Sequence, residues 1–131
     1  MLGTIFPGGS VNELNLGQNT PRSRFEARAG GHYVGQAAYV DDDGDHRIFF
    51  HTAVIDEYAG QGIAGTLAEY ALSKTVAGGK IIVPVCPYIK SYLARHPEYV
   101  PDVLEPTEPL LRFLDGVLQS RKRSAAPKGH D

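Results

Sequence analysis

The sequence contains no tryptophan and a single cysteine, Cys86. One thiol excludes an internal disulfide, so the fold must rest on packing, and a reducing compartment, the cytoplasm, is expected. Long apolar runs are missing as well, and no bilayer crossing is expected. Around Met1, Leu2, Ile5 and Phe6 are broken up by Gly3, Pro7, Gly8 and Gly9, which is not the pattern of a signal peptide. An excess of one charge is also lacking. The formal net charge is −2; Arg121, Lys122, Arg123 and Lys128 against Asp131 contribute +3 at the end, leaving −5 for the rest. A body of that sign gives no reason to expect nucleic acid as a partner. A chain of 131 residues suits one domain.

Residues 1–23 carry Gly3, Pro7, Gly8, Gly9, Gly17 and Pro21 without helical or alternating period and are expected to form a flexible lead-in. The domain is expected over 24–119. Phe25 and Ala27 alternate with Glu26 and Arg28, Gly30-Gly31 supplies a turn, and Tyr33 to Val40 reads as a second strand. The acidic turn Asp41 to Asp45 leads into a third strand, Arg47 to Ile55, completing an antiparallel meander. A calcium loop of the EF-hand type would need Gly and Glu at its sixth and twelfth positions, where His46 and Thr52 stand. No metal site is expected there, or at His32, His46 or His130.

The alternation then changes to a helical period over Ile63 to Val76, with Ile63, Leu67, Tyr70 and Ala71 on one face, and Gly78-Gly79 closing the helix. Lys80 to Cys86 is a nearly continuous apolar run, suited to a buried strand parallel to the third. Pro84 inside it cannot donate to a ladder and requires an edge, a bulge or a place where the sheet opens. Pro87 starts a helix with Tyr88, Tyr92 and His96 on one stripe and Ile89 and Leu93 on the next, ended by Pro97. Tyr99 to Glu108 reads as extended. A last helix, Glu108 to Gln119, carries Leu110, Phe113, Leu114 and Val117 on a face that this domain or a second protomer must cover. Residues 120–131 are expected as a disordered basic tail. The fold class is α/β (α+β): a mixed, mainly antiparallel twisted sheet with a β-α-β unit.

The centre of that unit is the turn Ala59 to Gly65 at the start of the helix. Exposed N–H groups and the positive end of the helix dipole make an anion site there, suited to phosphate. Gly60-Gln61-Gly62-Ile63-Ala64-Gly65 spells the dinucleotide pattern G-x-G-x-x-G. A dinucleotide fold also needs the motif in its first βα turn and an acid some twenty residues on, and no Asp or Glu occurs between Ala77 and Pro97. A Walker loop needs a lysine that Gly65-Thr66-Leu67 lacks.

The turn is similar to the acetyl-CoA loop of the GCN5-related N-acetyltransferase (GNAT) superfamily, Gln/Arg-x-x-Gly-x-Gly/Ala after a strand. Here it covers Ala59 to Ala64, with Gly62 and Ala64 matching and Ala59 departing from the usual Gln or Arg. Cys86-Pro87-Tyr88-Ile89-Lys90-Ser91-Tyr92-Leu93 and His96-Pro97-Glu98-Tyr99 resemble a shortened GNAT subgroup with a strand-ending cysteine. The resemblance spans about Arg24 to Val100. It implies a GNAT-type β-α-β unit whose strands splay at Pro84, acetyl-CoA as cosubstrate, and transfer of acetyl to an amine of unknown identity. It implies cosubstrate binding by Val54, Ile55, Ala59, Gly60, Gln61, Gly62, Ile63, Ala64 and Gly65, largely through backbone. The first hairpin leaves only Gly30 to His32 where larger relatives place acceptor-site helices. That favours an alternative, a non-catalytic CoA-binding or protein-interaction module. A monomer or weak dimer is expected.

Acyl transfer to an amine needs a neutral nucleophile, a stabilised carbonyl oxygen and a proton for the departing thiolate. Cys86, at the strand end and ahead of a helix, is either a transient acetyl carrier or a packing residue. Tyr92, with Tyr88 as the second choice, is the candidate proton donor; both also suit packing. His51, on the strand facing the splay, is a candidate base, and Glu57 before the glycine turn is a second.

Overall fold

The structure, a computed structural model, describes residues 5–6, 9–10 and 14–125. Two short strands, β1 (Ile5–Phe6) and β2 (Gly9–Ser10), pair with each other. The main sheet has the order β3 (Leu14–Asn19), β4 (Arg24–Ala29), β5 (His32–Asp41), β6 (His46–Val54), β7 (Ile81–Pro84). All neighbours are antiparallel except β6 and β7. This is the mixed, mainly antiparallel α+β fold expected, and it is not a dinucleotide-binding sheet, since the glycine turn follows the fourth strand of a meander.

Strand periodicity sends alternate residues to opposite layers. On one face, Phe25, Ala37, Tyr39 and Phe49 meet Ile63, Leu67 and Leu72 of α1 (Ile63–Ala77) and Ile89 of α2 (Pro87–Ala94), all but fully buried. Each such Leu, Ile or Phe contributes about 1.5–3 kcal/mol through burial. On the other face, Val40, Ile48 and Val83 are covered by Leu110, Leu114, Val117 and Leu118 of α3 (Glu108–Ala125). The domain itself therefore covers that stripe, while Phe113 turns outward and is 42% exposed. Thr107 caps α3, its hydroxyl accepting the Leu110 N–H at 3.3 Å.

Three segments depart from the sequence expectation. Within 1–23, Leu14–Asn19 is an edge strand rather than a lead-in: Leu14 and Leu16 pack on the core, and the Gln18 side chain donates to the Tyr39 hydroxyl at 2.7 Å. At the other end α3 continues to Ala125, so 120–125 is helical, while the rest of the expected tail lies outside the described residues. Pro97–Asp102, part of the stretch read as extended, is a 3₁₀ turn; Val103 then bridges Ile82.

Two irregularities of β6 position everything that follows. Ala38 stands opposite His51 and Tyr39 opposite Phe49, so Phe50 is an extra residue, a β-bulge. Next to it β7 leaves. β7 pairs with β6 only from His46 to Phe49, and its last partner is Pro84, which has no N–H to continue the ladder. The N–H groups of Val85 and Cys86 both donate to the Phe49 carbonyl at 2.9 Å. The strand expected over Lys80–Cys86 therefore ends at Pro84, and β6 runs on to Val54 with that edge vacated.

Candidate functional site

The vacated edge and the glycine turn enclose a cavity of about 380 Å³. Thr52, Ala53 and Val54 of β6 form one wall, Tyr58, Ala59, Gly60 and Gly62 the turn, Ile63 to Gly65 the start of α1, and Tyr88 of α2 the far side. The turn has its shape because Gly60 and Gly62 both adopt φ of +81°, a left-handed conformation that other residues resist. A Cβ built on either would meet nothing within 4 Å, so the turn presents open backbone toward the cavity side of the helix. The first helical bond is Thr66 N–H to the Gly62 carbonyl at 3.2 Å. The N–H groups of Ile63, Ala64 and Gly65 precede it and point out of the helix start, where the dipole favours an anion. Backbone donors of this kind fit a pyrophosphate.

The strand wall supplies a second set of backbone groups. The Ile55 N–H is turned to β5, donating to the Val34 carbonyl at 2.9 Å. Alternation along the strand then turns the peptide groups of Val54 and Thr52 to the vacated edge. An extended amide-bearing arm can pair with them as a strand would.

Of the residues expected to bind the cosubstrate, Val54, Ala59, Gly60, Gly62, Ile63, Ala64 and Gly65 line the cavity. Ile55 and Gln61 do not; Ile55 is committed to β5 and Gln61 is exposed. Thr52, Ala53 and Tyr58 line it without having been singled out in the sequence. Only Tyr58, an aromatic just before the turn, carried a readable signal.

Cys86 is 4% exposed, and its Sγ donates to the Thr52 hydroxyl at 3.5 Å, at the bottom of the gap where the strands part. Tyr92 lies one helical turn beyond Tyr88, with ring centroids 6.5 Å apart, and stacks on His96 at 3.9 Å. Burial, reinforced by Tyr99, Glu69, Glu98 and Tyr88 nearby, pushes its phenol up to about 12, so it holds its proton at neutral pH. It is buried behind Tyr88 rather than on the cavity wall.

His51 is not on this side of the sheet. Because Phe50 is an extra residue, His51 shares the face of Phe50, and it lines a separate cavity with Arg24 and Arg121. The bulge resets the alternation of β6, so His51 turns away from the splay that its strand faces. Glu57 is exposed in a 3₁₀ turn. In the acidic turn, Asp42 accepts the N–H groups of Gly44 at 2.8 Å and His46 at 2.9 Å and contacts the His46 ring at 2.8 Å. Burial pushes the Asp42 carboxyl up, but those bonds outweigh it and hold it below its ordinary value.

Residues 24–103 match the family model described as GCN5-related N-acetyl-transferase. No curated protein is significantly similar in sequence. Among solved structures, the solution structure of a GCN5-like protein from Staphylococcus aureus is similar with a TM-score of 0.56 and 20% identity, covering 75% of this chain and 95% of that one; the likeness is one of fold. Ard1 from Thermoplasma volcanium gives a TM-score of 0.42 at 17% identity over 47% of this chain and 43% of that one. An aminoglycoside acetyltransferase from an uncultured soil metagenomic sample, solved with trehalose, gives 0.39 at 14% identity over 80% and 59%. The last two are too distant to bear on the fold.

Proposed function

Because the chain belongs to the GCN5-related N-acetyltransferase family, we propose that it binds acetyl-CoA in the cavity between the glycine turn and the vacated edge of β6, and transfers the acetyl group to an amine. The observation that carries this reading is the pairing of two backbone arrays on one cavity. The N–H groups of Ile63, Ala64 and Gly65 suit a pyrophosphate, and the free peptide groups of Thr52 and Val54 suit the amide-bearing arm that follows it. Ala59, in place of a longer polar residue, does not enter either array.

Acetyl-CoA held there would supply a thioester whose C–S bond breaks as the Cys86 sulfur bonds to the acetyl carbon, and the acetyl-cysteine C–S bond breaks in turn as the amine nitrogen bonds to that carbon. The protein's part is to position the two substrates and to manage a proton. Tyr88, which lines the cavity, is the tyrosine placed to give a proton to the leaving CoA sulfur, with Tyr92 held protonated by burial behind it; the proton of the Cys86 thiol restores the phenol, and the proton released by the amine restores the thiol. Tyr88 forms the wall over the helix start. Cys86 and Thr52 mark the end of the gap where the acetyl group is handed over, with Cys86 as its transient carrier.

Calorimetry with acetyl-CoA, CoA and NAD, followed by an acetylation assay over an amine panel, tests this. Binding of CoA species with turnover is expected. CoA binding with no acetylated amine would instead favour the non-catalytic module, and binding of NAD alone would overturn the reading.

A further inference from the structure

The second cavity, about 430 Å³, opens on the opposite face of β6. Its walls come from three distant segments: Arg22 and Arg24 around the start of β4, Gln36 and Ala38 of β5 with Phe50 and His51 of β6, and Arg121 near the end of α3. Three arginines line it and no acidic residue does, in a chain whose net charge is −2.

The arginines are held differently. Arg24 is paired with the buried Glu26 at 2.6 Å and donates to Gln36 at 3.1 Å, while Glu26 also takes Arg28 at 3.1 Å. That single acid is thus shared between two guanidiniums behind the cavity. Arg121 reaches across from α3 and donates through one nitrogen to the Tyr39 carbonyl at 3.4 Å, beside the bulge. The Arg22 guanidinium has no partner among the described residues, and the Arg121 charge has no acidic one. Two forks with free donors therefore face one concavity whose floor is Phe50 and His51. Guanidinium donors match a carboxylate or a phosphate.

We propose that this cavity binds the anionic group, a carboxylate or a phosphate, of the amine that accepts the acetyl group. The placement supports an acceptor site in particular. The floor residues directly precede Thr52, which lines the cosubstrate cavity, and β6 has no partner strand on its other edge beyond Phe49. An amine anchored on the arginine face meets the acetyl group at that open edge. This inference rests on the transferase reading and adds the class of acceptor: small amines or peptides with an acidic group near the nitrogen.

The test uses the full chain and two probes, glutamate and inorganic phosphate, with ethanolamine as the uncharged-tail control, followed by NMR of the backbone and arginine signals. Saturable shifts are expected at Arg22, Arg24 and Arg121 with one of the anions, naming carboxylate or phosphate as the better fit, and none with ethanolamine. Arg22→Gln and Arg121→Gln should each weaken the anion about tenfold or more, as loss of a charge-assisted bond does, and Arg121→Lys should recover part of it. In turnover, the double variant should raise KM for an acid-bearing amine with kcat within about twofold, and leave a neutral amine unaffected. Acetyl-CoA titrated into the same variants should bind as in the parent. Absence of saturable anion shifts, or equal shifts in parent and double variant, overturns the proposal while leaving cosubstrate binding intact. Loss of acetyl-CoA binding in the arginine variants would place these residues in the cosubstrate site and also overturn it. Failure of the parent to bind acetyl-CoA at all refutes the transferase reading instead.

Discussion

The two cavities that flank β6 are made of different material. The one beside α1 is built from main chain: left-handed glycines, the first N–H groups of a helix and the unpaired peptide groups of a strand. The one beneath α3 is built from side chains, three arginines brought together from residues 22 to 121. A backbone site is tolerant of side-chain identity but intolerant of changes in φ. A side-chain site has the opposite sensitivity. The proposed roles divide the same way: a phosphate-bearing arm of fixed chemistry can be held by generic amides, whereas a particular acceptor must be selected by charges.

Perturbations sort along that line. The largest effect is expected on the wall of the cosubstrate cavity: Tyr88→Phe should lower kcat roughly 10²- to 10⁴-fold, the range of general acid catalysis, with acetyl-CoA binding retained. Full turnover in steady-state assays would remove Tyr88 from the mechanism. Next, Gly62→Val should weaken acetyl-CoA about 100-fold, because a β-branched residue resists φ of +81° and displaces the turn's amides from an anion. The same variant should leave anion shifts at Arg22 and Arg121 unchanged. If both cavities respond, they are not independent sites. Cys86→Ala should lower acetyl transfer about tenfold and abolish acetylated enzyme in intact-protein mass spectra, while costing stability only about 1 kcal/mol for a small buried group. Undiminished transfer would leave Cys86 as packing beneath Thr52.

The smallest effect concerns the support behind the arginine face. Burial pushes the Glu26 carboxyl up, yet bonds from Arg24, Asn19 and Arg28 prevail and hold it below its ordinary value. A carboxyl whose folded value is lowered contributes stability that is present above its unfolded value and is lost as pH falls through the folded one. Urea midpoints of the parent should therefore decline as pH drops below the ordinary glutamate range, and Glu26→Gln should flatten that decline. An unchanged slope in the variant would show that the network adds nothing to the fold.

The same contrast explains what the sequence made legible. The glycine turn, α1 and the order of a buried strand followed by a tyrosine-bearing helix were readable because each is local: a left-handed position asks for glycine, and a helical face repeats within a few residues. The edge strand β3 escaped notice because it has only Leu14 and Leu16 as alternating apolar residues and a glycine, Gly17, between its polar ones. The end of α3 carries no apolar period after Leu118, and Arg121 is fixed instead by a carbonyl 82 residues away. Nothing in Phe49-Phe50-His51 marks a bulge, since it contains neither glycine nor proline. That one inserted residue moved His51 from one cavity to the other. A site assembled by tertiary contact from distant arginines leaves no spacing for a sequence reading to find.

The central claim is that the backbone-built cavity holds acetyl-CoA. Titration of acetyl-CoA into the full chain, followed by calorimetry and amide NMR together, tests it most directly. One-to-one binding tighter than about 1 mM, a threshold of roughly −4 kcal/mol, is expected, with the largest shifts at Gly60 to Gly65, Thr52 and Val54. No binding at that level, or shifts confined to the arginine face, would contradict it.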